Sequence, residues 1–284
     1  EQVSISTAAQ AIFDSEIIWD AHSGFMPDPA ADLNNLQIWR DAGIDYLSID
    51  VGFDLLPWEQ TVRTLANFRH WILANPEHYT LVSSVAEIRK AKIEGKLAIT
   101  FDIEGMNALD GRIEMVEFYH HLGVRQILFA YNRNNLAGGG CHDVETSLTA
   151  FGRQVIDEMN RLGITSAIDA GGGFQNYPDD YQVIDELHRR GEMTVRVAYN
   201  LFTQKPKQEL DDFARWSKMV KPGAGDDYYR MNGAGEMLVY SAADFEDFVE
   251  PRPDLAPSLE DELGRVVRLL VENRWPFRLH ATYD

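Results

Sequence analysis

One cysteine, Cys141, is all the thiol this sequence has. That excludes a disulfide framework and a cysteine-rich zinc site, and it makes a reducing, cytoplasmic setting the default expectation. Basic residues are also scarce. Lys and Arg total 26 against 45 Asp and Glu, a formal net charge of −19. Such a charge argues against nucleic acid and anionic membranes as partners and says nothing about fold. No apolar run approaches the roughly 20 residues of a bilayer span. The opening EQVSISTAAQ has neither a basic region nor a long apolar one, so no signal peptide is visible, and its first residue is Glu1, as expected of a processed or trimmed chain. Internal repeats, low-complexity tracts and linkers are lacking too.

What is present is a large supply of core. Hydrophobic residues make up 45% of 284 positions, enough for one large α/β domain or two small ones. The stretch KLAITFDIEGMN, residues 96–107, organises the rest. Leu97, Ala98, Ile99 and Phe101 predict a short strand buried on both faces, and Asp102 and Glu104 stand where it ends. An ionised carboxylate in such a place needs a cation, a metal or a substrate proton, or else it caps the following helix.

Seven other strands are expected: Ile17–His22, Tyr46–Val51, Gln126–Tyr131, Thr165–Asp169, Thr194–Tyr199, Tyr229–Gly233 and Phe277–Ala281. Amphipathic segments separate them at Asp32–Ala42, Pro57–Ala74, Val85–Glu94, Ile113–Leu122, Leu148–Leu162, Tyr181–Arg190, Gln208–Val220 and Leu259–Asn273. Ser84 with Glu87 reads as a capping box, and Gly43, Gly95, Gly123, Gly163 and Gly191 sit where helices should stop. This cadence is that of a parallel sheet with crossover helices, and eight units at this length predict a (β/α)8 TIM-type barrel over residues 1–284. A doubly wound open sheet is the alternative, but no strand is followed by a GxGxxG turn.

In a barrel, chemistry gathers at strand ends. Those positions hold Asp20, His22, Asp50, Asp102, Glu104, Tyr131, Asn132, Asn134, Asp169, Asn200, Asn232, Glu236, His280 and Asp284. Imidazoles and carboxylates from several strands can converge on one divalent ion, with a further carboxylate as general base. His22 and His280 are each a ligand or a satisfied core histidine, and Asp20 and Asp169 are as suited to capping amides. His142, in the Gly-rich loop after the fourth strand, is a substrate-contact candidate. His70, His78, His120, His121 and His188 fall in or beside helices and are read as packing or solvated residues.

Two resemblances then overlap. DAHSGF at 20–25, DIEGMN at 102–107, LGVRQILFAYNRNN at 122–135 and LTAFGRQVIDEMNRLG at 148–163 resemble the membrane (renal-type) dipeptidase family. NRLGITSAIDAGGG at 160–173, YPDDYQVIDELHRRGE at 177–192, MNGAGEM at 231–237 and RLHATYD at 278–284 resemble the YtcJ-type amidohydrolase family. Both are metal-dependent hydrolases on amidohydrolase-type barrels, so the chain reads as a hybrid, dipeptidase-like over 1–163 and amidohydrolase-like over 164–284. The resemblance implies His22, Glu104 and His280 as metal ligands, with a divalent metal, zinc, as the cofactor, Asp102 and Glu236 as helpers, and Tyr131 and Asn132 beside the substrate. It also implies departures: Gly24 stands where the dipeptidase pattern has a ligand Asp, and Tyr131 where it has a substrate-binding histidine.

The expected activity is hydrolysis of amide bonds in dipeptides or related small amides. The alternatives are a barrel without a complete metal site, and a metal-free glycosidase pairing Glu104 with Glu236, whose carboxylate separation would decide it. A homo-oligomer is left open.

Overall fold

The computed structural model describes residues 6–23, 26–140, 143, 148–163, 166–169, 176–203, 205–240 and 256–279. The chain divides into two compact units, Glu1–Glu158 and Met159–Asp284.

In the first unit the elements run α1 (Thr7–Ser15), β1 (Trp19–Ser23), α2 (Gln37–Asp41), β2 (Tyr46–Phe53), α3 (Trp58–Ala74), β3 (Tyr79–Leu81), α4 (Val85–Ile93), β4 (Leu97–Glu104), α5 (Glu114–Leu122) and β5 (Val124–Leu128), and the division falls within the last turn of α6 (Ala150–Arg161). The sheet is parallel throughout. Its order is β1-β2-β4, with β3 and β5 sharing the far edge of β4. β3 pairs with Leu97–Ile99 and β5 with Phe101–Glu104, so one long strand carries two short neighbours in line. The sheet curls enough for Gln126 Nε2 on β5 to donate to the Ala21 carbonyl on β1 at 2.6 Å.

The second unit carries β6 (Ser166–Asp169), α7 (Gln182–Arg189), β7 (Arg196–Leu201), α8 (Glu209–Met219), β8 (Tyr229–Ala234) and α9 (Leu259–Glu272). Its sheet is parallel in the order β6-β7-β8. Ala234 makes a parallel bridge with Phe277, where the sequence predicts its last strand. The core here joins Phe213 and Trp216 of α8, Leu201 and Tyr199 of β7, Met231 of β8, and Val266 and Leu270 of α9.

The predicted cadence is present, with differences that have local causes. β5 starts and ends earlier than expected because Gly123, at φ 104°, already turns the chain onto the sheet and packs against Phe101. The segment expected as one helix at Asp32–Ala42 is a 3-10 turn, Leu33–Leu36, capped by Asp32, followed by the short α2. Ser84 caps α4 as expected, but Glu87 reaches back to the amide of Ser83 rather than closing a reciprocal box with Ser84. α1, which buries none of its residues, and β3, only three residues long, are not among the elements expected from the sequence. Among the described residues no helix is long and apolar enough to cross a membrane.

The central prediction, a strand buried on both faces, holds for Leu97–Glu104 in burial but not in chemistry. Leu97, Ile99, Phe101 and Ile103 are apolar and at most 1% exposed. The alternate positions Thr100, Asp102 and Glu104 are polar, and on β2 the same parity holds Tyr46, Ser48 and Asp50. One face of this buried sheet is therefore hydrocarbon and the other carries hydroxyls and carboxylates.

Candidate active site

β2 and β4 run in register through Ser48↔Thr100 and Asp50↔Asp102, which stacks their polar side chains on one face. β1 would not present His22 to that face without an irregularity. Trp19 pairs with Tyr46 and Asp20 with Leu47, but Ser23 pairs with Ile49. The extra residue between Asp20 and Ser23 is a bulge, and it reverses the parity of the strand end. His22 then falls beside Ser48 instead of Ile49. Asp20 anchors the bulge by accepting from the His22 amide and from Trp39 Nε1. Further irregularities follow Asp50 on β2 and fall at Asp102 in the β4–β5 ladder, so the ladders loosen at the ends of these strands.

His22 lies between two acids. Its Nδ1 is 2.7 Å from Asp102 Oδ1, and its Nε2 is 3.4 Å from Glu104 Oε1. Asp102 Oδ2 accepts from Ser48 Oγ at 2.5 Å. Burial works against charging the imidazole, but the hydrogen bonds and charges of Asp102 and Glu104 more than offset it, and the pKa rises to about 11. The ring keeps 36% of its side-chain surface open, whereas Asp102 is nearly closed off at 5%. Asp50 is buried as well and accepts from the Gly52 amide. Burial, then the charges of Asp102 and Glu104, push its carboxyl well above the usual range.

Around the mouth, Asp54 ties three segments together. Its amide donates to the Glu104 carbonyl at 2.9 Å. Its carboxylate accepts from the amides of Asn107 (2.9 Å) and Tyr131 (3.1 Å) and from Asn135 Nδ2 (2.8 Å). Gly105 makes room for this carboxylate, since a Cβ there would lie 2.0 Å from Asp54 Cγ, and its φ of 124° disfavours any side chain. Asn135 also accepts from the amides of Ala137 and Gly138 and donates to the Phe129 carbonyl, which fixes the turn carrying Tyr131 and Asn132. The Tyr131 ring meets Phe53 edge-on at 5.6 Å.

Of the residues expected at the site, His22, Asp102 and Glu104 are brought together, and Tyr131 and Asn132 sit on the loop held by Asp54. Glu236 belongs to the second unit, in the segment after β8. His280, His142 and Gly24 lie outside the described residues. Ser48, Thr100 and Asp54 are not among the residues expected at the site; the alternation Tyr46-Ser48-Asp50 beside Thr100-Asp102-Glu104 signals the first two and not Asp54. His188, expected to be a packing or solvated residue, lies 5.7 Å from the Tyr229 ring and pairs with Asp226 at 2.9 Å.

Among the described residues no three His, Cys, Asp or Glu side chains are set as ligands around one point. The chemistry of the donors nonetheless suits a divalent cation. A tetrahedral ion with bonds of about 2.0–2.2 Å holds adjacent ligand atoms roughly 3.3–3.6 Å apart, and the Nε2–Oε1 separation of 3.4 Å matches. An imidazole that keeps its other nitrogen on a carboxylate is the usual arrangement behind a metal-bound histidine.

Residues 122–284 match the amidohydrolase family, and residues 32–169 match the membrane dipeptidase family, peptidase family M19. An uncharacterized dipeptidase of Schizosaccharomyces pombe is 23% identical over 145 residues, 50% of this chain and 33% of that protein. A second from the same organism is 33% identical over 75 residues, 25% of this chain and 18% of that protein. The chain thus spans a third or less of the length of these relatives. Among solved structures, an amidohydrolase from Pseudomonas aeruginosa superposes with a TM-score of 0.57 at 19% identity, covering 94% of this chain and 92% of that one. At that identity the likeness is one of fold: α/β, of the kind built by the metal-dependent hydrolases of both families. With more than half of its length matched, the chain belongs to the amidohydrolase family, and its first half carries the pattern of the membrane dipeptidases.

Proposed function

We propose that this chain is a metal-dependent hydrolase that cleaves the amide bond of dipeptide-like substrates, with zinc as the divalent ion and His22 Nε2 and Glu104 among its ligands. The observation that carries this reading is the His22 ring, anchored on Asp102 through Nδ1 and facing Glu104 at 3.4 Å through Nε2. The dipeptidase pattern supports the substrate class, since the matched segment contains Asp50, Asp102, Glu104 and the Tyr131–Asn132 loop.

When bound, such an ion polarises a carbonyl and lowers the pKa of its water toward 7. Asp102 holds the Nδ1 proton and so keeps Nε2 as the donor atom. Glu104 takes the proton of the attacking water. Tyr131 and Asn132, on a loop pinned to Asp54, border the substrate, and that loop shares its anchor with the end of β4.

The test is metal analysis of protein purified without chelator, together with turnover of a dipeptide panel. Zinc, manganese or iron should copurify, chelation should abolish turnover, and added metal should restore it. Glu104→Gln should lower kcat by about 10²-fold or more, and His22→Ala should lose the metal. Protein that retains none of these metals and gains no activity when they are supplied removes the reading.

A further inference from the structure

Asp102 is reached from below by a row of hydroxyls. Ser48 Oγ donates to Asp102 Oδ2 at 2.5 Å. Thr100 Oγ1 lies 3.4 Å from Ser48 Oγ, and Tyr46 OH lies 2.6 Å from Thr100 Oγ1. The row is sealed from water: Tyr46, Ser48, Thr100 and Asp102 are 3%, 0%, 3% and 4% exposed.

Counting protons fixes the direction of every bond. An ionised Asp102 can only accept, and it accepts from His22 and from Ser48. Ser48 has one hydroxyl proton, already committed to Asp102, so its oxygen accepts from Thr100. Thr100 has then given its single proton, and its oxygen accepts from Tyr46. The dipoles run Tyr46 to Thr100 to Ser48 to Asp102, each strengthening the next, and all converge on one carboxylate in a site of low dielectric. A carboxylate so buried costs several kcal/mol unless both oxygens are held. Here one oxygen is held by the row and the other by His22.

We propose that Tyr46, Thr100 and Ser48 act as one positioning row, which through Asp102 locks the His22 ring so that Nε2 rather than Nδ1 is the atom offered to the cation. The inference rests on the metallohydrolase reading and deepens it by assigning three residues that neither ligate nor touch substrate. It also makes Asp102 a positioning residue. The competing account is that the hydroxyls only satisfy one another within the sheet.

The experiment compares Tyr46→Phe, Thr100→Val, Thr100→Ser and Ser48→Ala in the full chain. It follows the ring N–H resonance of His22 in metal-free protein by NMR with labelled histidine, and the affinity for cobalt by competition titration. Tyr46→Phe and Thr100→Val should shift the Nδ1–H resonance upfield and weaken cobalt binding several-fold. Ser48→Ala, next to Asp102, should weaken it about 10- to 100-fold, the usual range for a partner behind a ligand. Thr100→Ser, which keeps the hydroxyl, should restore both readouts. If the wild type binds cobalt and the variants bind it equally with an unmoved His22 resonance, the row is packing and the inference is overturned. If the wild type binds no cobalt, the hydrolase reading falls, while the resonance in the metal-free protein still decides whether the row sets the ring. Should Ser48→Ala fail to fold, Tyr46→Phe decides, because it removes a single oxygen from the far end.

Discussion

Asp50 and His22 lie on the same polar face and have opposite effects on the metal-free protein. Asp50 is 4% exposed, and beyond its burial the negative charges of Asp102 and Glu104 raise its pKa. An acid whose folded pKa is raised binds its proton more tightly folded than unfolded. Stability is therefore lost as pH climbs from the ordinary aspartate value of 3.8 through the higher folded value, and stays lost at neutrality. Asp50→Asn should stabilise the metal-free protein at pH 7 by on the order of 1–3 kcal/mol, with the gain shrinking toward zero near pH 4. Urea denaturation at the two pH values measures this, and a loss of stability at pH 7 would show that the carboxylate is paired. For His22 the sign is reversed. Its pKa rises from 6.5 to about 11, so its contribution is complete below pH 6.5 and disappears as pH rises through about 11. His22→Gln should lower the stability of the metal-free protein below pH 6.5 and flatten its alkaline decline, so that wild type and variant converge as pH rises through about 11. A variant that declines in parallel with the wild type contradicts the double carboxylate contact.

Among the elements, the bulge in β1 and the Asp54 hub decide what the site is. Alternation along Tyr46-Ser48-Asp50 and Thr100-Asp102-Glu104 could be read from residues alone, and so could the end of β4, because apolar periodicity and strand length leave little choice there. The placing of His22 was legible only as a strand-end residue. A regular strand would pair it with Ile49, and one extra residue between Asp20 and Ser23 turns it to the other face, which no local composition rule announces. The Asp54 hub was illegible for a different reason. It joins residues 53 and 81 positions apart, and its only local sign is Gly105, which vacates the space for its carboxylate. Asp54→Ala should free the loop at Tyr131 and leave the ends of β1 and β4 in place. Metal affinity should stay at the wild-type level, while KM for a dipeptide rises several-fold and loop amides exchange faster by hydrogen exchange. Equal losses of metal and substrate binding would make Asp54 part of the metal site instead.

At the scale of the whole chain, two family patterns meet within one sequence, overlapping over residues 122–169, and His22, Ser48, Asp102 and Glu104 belong to the first unit. A net charge of −19 favours cation uptake in general, so binding alone says little about place. Protection does. A ligand that binds only the folded state stabilises it by about 2.7 kcal/mol at a hundredfold excess over Kd, and local openings near the ligands are suppressed most. Zinc should therefore slow hydrogen exchange chiefly in peptides covering Trp19–Ser23, Tyr46–Phe53 and Leu97–Glu104, and should do so far less in His22→Ala. Uniform slowing that survives His22→Ala would mean that the ion binds the acidic surface at large, and the site would have to be sought away from the ends of β1, β2 and β4.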